Sequence, residues 1–138
     1  MKIEILRLAI DFGLVVLIWM VQLLIYPGFK YFGSKGLGSW HHIYTRNITF
    51  IVAPIMIAQL IIMSYFWIDY PAMLAPNILY TILVSLTWIT TMLFFIPMHA
   101  SIDKNPTDLK LLNKLTNWNW MRVFLWNTIL TLDLFLLF

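Results

Sequence analysis

Cysteine is absent from the 138-residue chain. That removes disulfide frameworks, zinc–thiolate sites and thiolate-ligated haem from consideration. Charge is scarce as well: Asp, Glu, Lys and Arg make up 11% of the residues, where an ordinary soluble domain carries about 25%. The excess of nine basic over six acidic side chains is small, and the basic ones are scattered. They give no electrostatic footprint for nucleic acid. What the chain has instead is apolar mass, 62% hydrophobic and 17% aromatic residues. Such aromatic content excludes disorder, and the length suits one domain. The composition is that of a polytopic membrane protein.

A helix needs roughly 20 apolar residues to cross about 30 Å of hydrocarbon. Four stretches qualify, at about 5–26, 48–67, 78–98 and 120–138. They are continuous and about twice as long as a barrel strand requires. The expected fold is therefore all-α: one transmembrane domain over 1–138, an antiparallel four-helix bundle. The first stretch does not read as a removable signal peptide, because it is long, Glu4 and Asp11 interrupt it, and no small-x-small pattern precedes Pro27. Lys30, Lys35, Arg46, Lys104, Lys110, Lys114 and Arg122 fall on one side of the spans, against Lys2 and Arg7 on the other. Seven against two predicts cytoplasmic long connections and both termini outside, in a bacterial inner (cytoplasmic) membrane. Trp40, Trp118 and Trp120 suit the inner interface and Trp67 the outer one.

The connections differ in kind. Gly28, Gly33, Gly36 and Gly38 make the segment from Pro27 to Trp40 turn-rich. Asn105 as N-cap, Pro106 at the first helical position and Asp108 near the positive end predict a short interfacial amphipathic helix over about 106–117. Ile25-Tyr26-Pro27 and Phe95-Ile96-Pro97 end the first and third spans with a shared pattern, a weak sign of two matched hairpins.

Polar groups in hydrocarbon are expensive and should face the bundle interior. Ordered by depth, Tyr26, His41, His42, Tyr44, Arg46, Asn47, His99, Asn117, Asn119 and Arg122 all fall at the cytoplasmic ends of the spans, with Gln22 one turn deeper. This polar cap contains every histidine. Within it, His99, Arg122 and Asn119 are the candidate catalytic groups. Tyr26, Gln22, His41, Arg46 and Trp120 are the candidate ligand-binding groups. No metal site is assigned, since the three histidines lack the spacing of a metal-binding helix motif; His99 with His41 or His42 is the pairing a metal or haem iron would use. Gln22, Gln59, Asn127 and the threonines Thr87, Thr90, Thr91 and Thr128 read as interhelical glue. Asp11 and Asp133 lie at matched depth near the other end. Arg7, four residues before Asp11, favours a structural pair on one helix over ion transport, and Asp133 is expected to reach the outer interface.

The segments Trp19-x-x-Gln22-x-x-x-Tyr26-Pro27-x-Phe29, His41-x-x-x-Thr45-Arg46-x-Ile48 with Pro54-x-Met56, Pro97-x-His99, Leu115-Thr116, and Asn119-Trp120-x-Arg122 with Trp126 resemble an uncharacterised family of small bacterial four-span membrane proteins. The Pro97 region and the Asn119–Arg122 segment are also distantly similar to anthrone-oxygenase-like membrane proteins. The first resemblance implies a histidine before the Tyr-Pro pair, a second at the position of Tyr44 and an acid near Gln59. This chain has Ile25, Tyr44 and Gln59 there, while His99 and the Asn-Trp-x-Arg segment match. Losing those groups lowers the expectation of catalysis. The functional expectation put first is an accessory subunit or hydrophobic-ligand-binding protein. The alternative is a membrane oxidoreductase of the anthrone-oxygenase type acting on a lipid-soluble aromatic or quinone-like compound. The partners expected are the lipid bilayer, further copies or other subunits of a membrane complex, and a hydrophobic small molecule, with no nucleic acid.

Overall fold

The computed structural model describes residues 2–137, apart from the side chains of Lys2, Ser34 and Lys35. Among the described residues all regular structure is helical. The first long helix, α1, runs over Lys2–Met20, widens into a π turn at Val21–Ile25 and closes through Tyr26–Gly28 and a 3-10 turn at Phe29–Tyr31. Next come α2, Ser34–Asp69, and α3, which comprises Leu74–Thr90, a π turn at Thr91–Phe95, and Ile96–Lys104. The last, α4, spans Leu109–Leu137. Four segments, Ile3–Tyr31, Gly36–Asp69, Leu74–Lys104 and Leu109–Leu137, are each long and apolar enough to cross a membrane. Helix is the form that lets such apolar stretches satisfy every backbone donor and acceptor internally.

Two helices begin earlier, or run on further, than the apolar runs alone imply. α2 starts at Ser34, so Gly36 and Gly38 lie inside it and the turn after α1 is short. Leu37, His41 and Tyr44 recur at helical spacing and are all buried, and that stripe holds the extension against the bundle. The amphipathic segment near 106–117 is not a separate helix but the first turns of α4. Leu112, Leu115, Asn119, Arg122, Trp126, Ile129 and Asp133 form one uninterrupted buried face, which gives the chain no reason to bend between them. Its N-cap is Asp108, whose Oδ1 accepts from the backbone N–H groups of Lys110 at 2.9 Å and Leu111 at 3.2 Å. Asn105 instead accepts a bond from the Thr107 hydroxyl.

The shared Tyr-Pro and Ile-Pro pattern has a structural counterpart. Each π turn begins six residues before a proline, Val21 before Pro27 and Thr91 before Pro97. In both, the residue preceding the proline bonds five residues back: Tyr26 N–H to Val21 and Ile96 N–H to Thr91. Proline lacks an N–H and its ring collides with the carbonyl four residues earlier. Widening the helix by one residue relieves that collision and rotates the succeeding turns. Tyr26 in α1, and Phe95 and His99 in α3, are thereby directed into the bundle.

The core is built on Leu14, Ile18, Val84, Leu115, Trp126 and Ile129. Around it the surface stays apolar, with Leu24, Phe50, Ile61, Phe124 and Phe135 exposed. A surface of that kind suits lipid contact rather than water.

Candidate functional site

At one end of the bundle four side chains from three helices form an unbroken hydrogen-bonded line. The Tyr26 hydroxyl of α1 lies 3.0 Å from Nε2 of His99 on α3. Nδ1 of His99 is 2.8 Å from Nε2 of His41 on α2, and Nδ1 of His41 is 2.6 Å from Oδ1 of Asp103. The two imidazoles stack with centroids 5.0 Å apart. Helical spacing accounts for the pair on α3, since Asp103 comes four residues after His99 and shares its face. Phe29, packed edge-on to His41 and Tyr44 with centroids 5.4 Å from each, fills the space behind the line. Tyr26 and His41 are fully buried, whereas the Asp103 side chain is 38% exposed. The line therefore leads from the interior to the surface.

With both imidazoles neutral, one proton arrangement satisfies all three contacts: Tyr26 O–H donates to His99, His99 Nδ1–H to His41, and His41 Nδ1–H to the Asp103 carboxylate. Adding one proton at the Tyr26 end, and passing the Tyr26 hydrogen to His99 and the His99 Nδ1 hydrogen to His41, makes His41 an imidazolium beside that carboxylate. Chemically, the line can accept a proton from a group touching Tyr26 and hold it two residues away.

Tyr26 and His99 also face a cavity of about 450 Å³ between α2 and α3. Ile48, Val52 and Met56 line it from α2, Trp88, Met92 and Ile96 from α3, and Leu14 and Ile18 close its floor. The two flanking helices are joined above and below it. At one end His41 meets His99 and Asp103. At the other, Trp67 Nε1 donates to Thr81 at 2.9 Å and Asn77 Nδ2 to the Phe66 carbonyl at 3.2 Å. Thr49, Met92, Ile96 and Ala100 line the cavity and are exposed, so it opens sideways between α2 and α3.

Three of the residues that line the cavity each carry a buried donor without an acceptor: Nε of Arg122, Nε1 of Trp126 and Nε1 of Trp88. The Arg122 guanidinium sits 4.4 Å from the Phe95 ring centroid and 5.0 Å from that of Trp126. It interacts with the Tyr26 hydroxyl, and among the described residues no carboxylate pairs with it.

Of the residues singled out from sequence, Tyr26, His41, His99 and Arg122 come together here. Gln22 and Asn119 pair with each other instead: Asn119 Nδ2 donates to Gln22 Oε1 at 2.9 Å and Gln22 Nε2 to the Thr116 carbonyl at 3.3 Å. Both are buried and neither lines the cavity. Arg46 and His42 are exposed, and Trp120 lies on the surface edge-on to Trp19 at 5.7 Å. The ring nitrogens of His41 and His99 are turned to one another, to Tyr26 and to Asp103, and among the described residues no three His, Asp or Glu side chains converge to hold a metal. Sequence reasoning passed over Asp103 and Trp88, and gave no role to Tyr44, which it placed in the polar cap, or to Trp126. The spacing His99-x-x-x-Asp103 was the available signal for the first.

A second polar cluster lies at the opposite end, and every long helix contributes to it. Asp11 of α1 accepts from Tyr80 Oη of α3 at 2.8 Å and lies 2.5 Å from the amide of Gln59 of α2. Arg7 Nε is 2.8 Å from Asp133 Oδ1 of α4, and its guanidinium covers the Phe66 ring at 4.0 Å. Arg7 thus pairs across the bundle with Asp133 rather than along its own helix with Asp11. Asp133 is buried and does not reach the interface, because it continues the buried face of α4.

No family model matches the chain, and neither a curated protein nor a solved structure is similar to it.

Proposed function

We propose that the chain is an integral membrane protein of four antiparallel spans that binds a membrane-soluble small molecule, with an apolar body and a polar head rich in hydrogen-bond acceptors. One observation carries this reading: the unpartnered donors of Arg122, Trp126 and Trp88, three residues that line a mostly apolar cavity. A buried donor left without an acceptor costs about 1–3 kcal/mol. A carbonyl, carboxylate or phenolic oxygen of a ligand relieves that cost at each donor it reaches, and the Arg122 charge favours an anionic head. The cavity volume of about 450 Å³ falls within the about 300–1,000 Å³ typical of small-molecule sites. The excess of basic residues towards the His41–Asp103 end supports a cytoplasmic side for it, in a bacterial inner membrane. The broad apolar exterior suits association with further copies or with other membrane subunits, for which this chain acts as a binding accessory. Native mass spectrometry from mild detergent tests the reading. A bound organic molecule, released by solvent and carrying carbonyl or acidic oxygens, is expected; a bare chain in every preparation would refute it.

A second reading, an oxidoreductase of the anthrone-oxygenase type acting on a lipid-soluble aromatic or quinone-like compound, is favoured by the Tyr26–His99–His41–Asp103 line. There His99, through Tyr26, is the proton acceptor and Arg122 holds the developing oxyanion. Asn119 takes no part, because its amide is engaged with Gln22. Undiminished turnover of an anthrone by a His99→Ala variant would exclude this reading.

A further inference from the structure

The cluster at the end away from the cavity raises a question of charge. Arg7 brings one positive charge, Asp11 and Asp133 bring two carboxyl groups, and all three residues are at most 5% exposed. Gln59 and Tyr80 are the remaining polar members, both neutral and buried. With both carboxyls ionised the cluster carries an uncompensated negative charge inside an apolar bundle, which protein interiors avoid. Arg7 pairs with Asp133 at 2.8 Å and has no ion pair with Asp11, while the Asp11 and Asp133 carboxyls also contact each other, so two adjacent carboxyl groups share one cation.

Two further observations concern Gln59, which is fully buried. Its Oε1 has no partner. Its amide contact with Asp11 Oδ1, at 2.5 Å, is shorter than the about 2.7–3.2 Å of an N–H···O bond and fits an O–H···O bond of about 2.5–3.0 Å. The oxygen and nitrogen of a glutamine amide are interchangeable by a half-turn of the group. Turning it places Oε1 against Asp11, where a carboxylic O–H would donate to it. One proton then removes the surplus charge and accounts for the short contact, the amide N–H2 taking the place that Oε1 leaves, while Tyr80 still donates to the other Asp11 oxygen.

We infer that Asp11 is a proton-binding site: the protein holds a carboxylic acid there, donating to the Gln59 carbonyl, beside an ionised Asp133–Arg7 pair. All four long helices meet at this acid, so its proton is part of what joins them. The inference is independent of the cavity and of any ligand.

Thermal unfolding of the full chain in detergent near neutral pH, with infrared spectroscopy of the same samples, tests it. Asp11→Asn replaces a neutral acid by a neutral amide that can still donate to Gln59 and accept from Tyr80. It should keep the wild-type midpoint and lose the carboxylic C=O band. Asp133→Asn strands the Arg7 charge and should lower the midpoint clearly. The inference is overturned if the wild type lacks that band, if Asp11→Asn unfolds early while Asp133→Asn does not, or if sodium or lithium raises the wild-type midpoint, which would identify a metal cation as the occupant.

Discussion

Replacing Arg122 by Gln separates a ligand-binding role from a structural one. The guanidinium is buried against Phe95 and Trp126, with its Nε unpartnered and no carboxylate paired to it among the described residues. Losing the charge forfeits two cation–π contacts, each about 0.5–2 kcal/mol, but also removes the cost of keeping an unpaired cation out of water. The stability of the empty protein should therefore change little, or rise. Binding should suffer, because a charge-assisted hydrogen bond contributes about 1.5–3 kcal/mol, which corresponds to an affinity loss of about 10- to 150-fold. At a ligand concentration of 100 times the wild-type Kd, ligand stabilises the wild type by about 2.7 kcal/mol and the variant by only about 0.3–1.4 kcal/mol. Unfolding in mild detergent, with and without a short-chain benzoquinone as probe, measures both quantities. If Arg122→Gln destabilised the empty protein by several kcal/mol while leaving the quinone-induced stabilisation intact, Arg122 would be a structural anchor and the binding argument would fail.

Three further outcomes are expected. Gln22→Leu alone should destabilise by about 1–3 kcal/mol, since it strands the Asn119 amide; the Gln22→Leu/Asn119→Leu double variant should recover most of that, and additivity in the double-mutant cycle would refute the pairing. Trp126→Phe keeps most of the ring volume but removes an N–H that has no partner, so unfolding should show a loss below about 1.5 kcal/mol while quinone affinity falls by about 2- to 10-fold. In the wild type, ¹⁵N NMR should find both His41 and His99 neutral with the proton on Nδ1; Asp103→Asn should disturb the His41 signal, and an unchanged spectrum would break the line from Tyr26 to Asp103.

The four long helices were legible because continuous apolar runs admit no other backbone solution, and the cluster of Tyr26, His41, His99 and Arg122 was legible because polar groups at equal depth tend to meet. Finer contacts were not. Gln22 and Asn119 belong to the same level as the cavity yet bond to each other, and only the rotation of α1 and α4 about their axes decides that. Arg7 and Asp11 have the spacing of a helical pair, but a buried face on α4 brings Asp133 closer to the arginine. Asp103 lies past the apolar run of its helix; one extra helical turn, to Lys104, is what returns it to His99. Trp88 lies within an apolar run and Trp126 stood out only through the resemblance; their unused N–H groups emerge only once the packing around them is known.

The sideways mouth between Thr49 and Met92 bears on how the cavity fills. In a bilayer it is reached by two-dimensional diffusion among acyl chains, so occupancy tracks the mole fraction of the compound in lipid, not its aqueous solubility. Diluting a fixed amount of compound with extra lipid should empty the site as surely as washing it out with buffer would fail to.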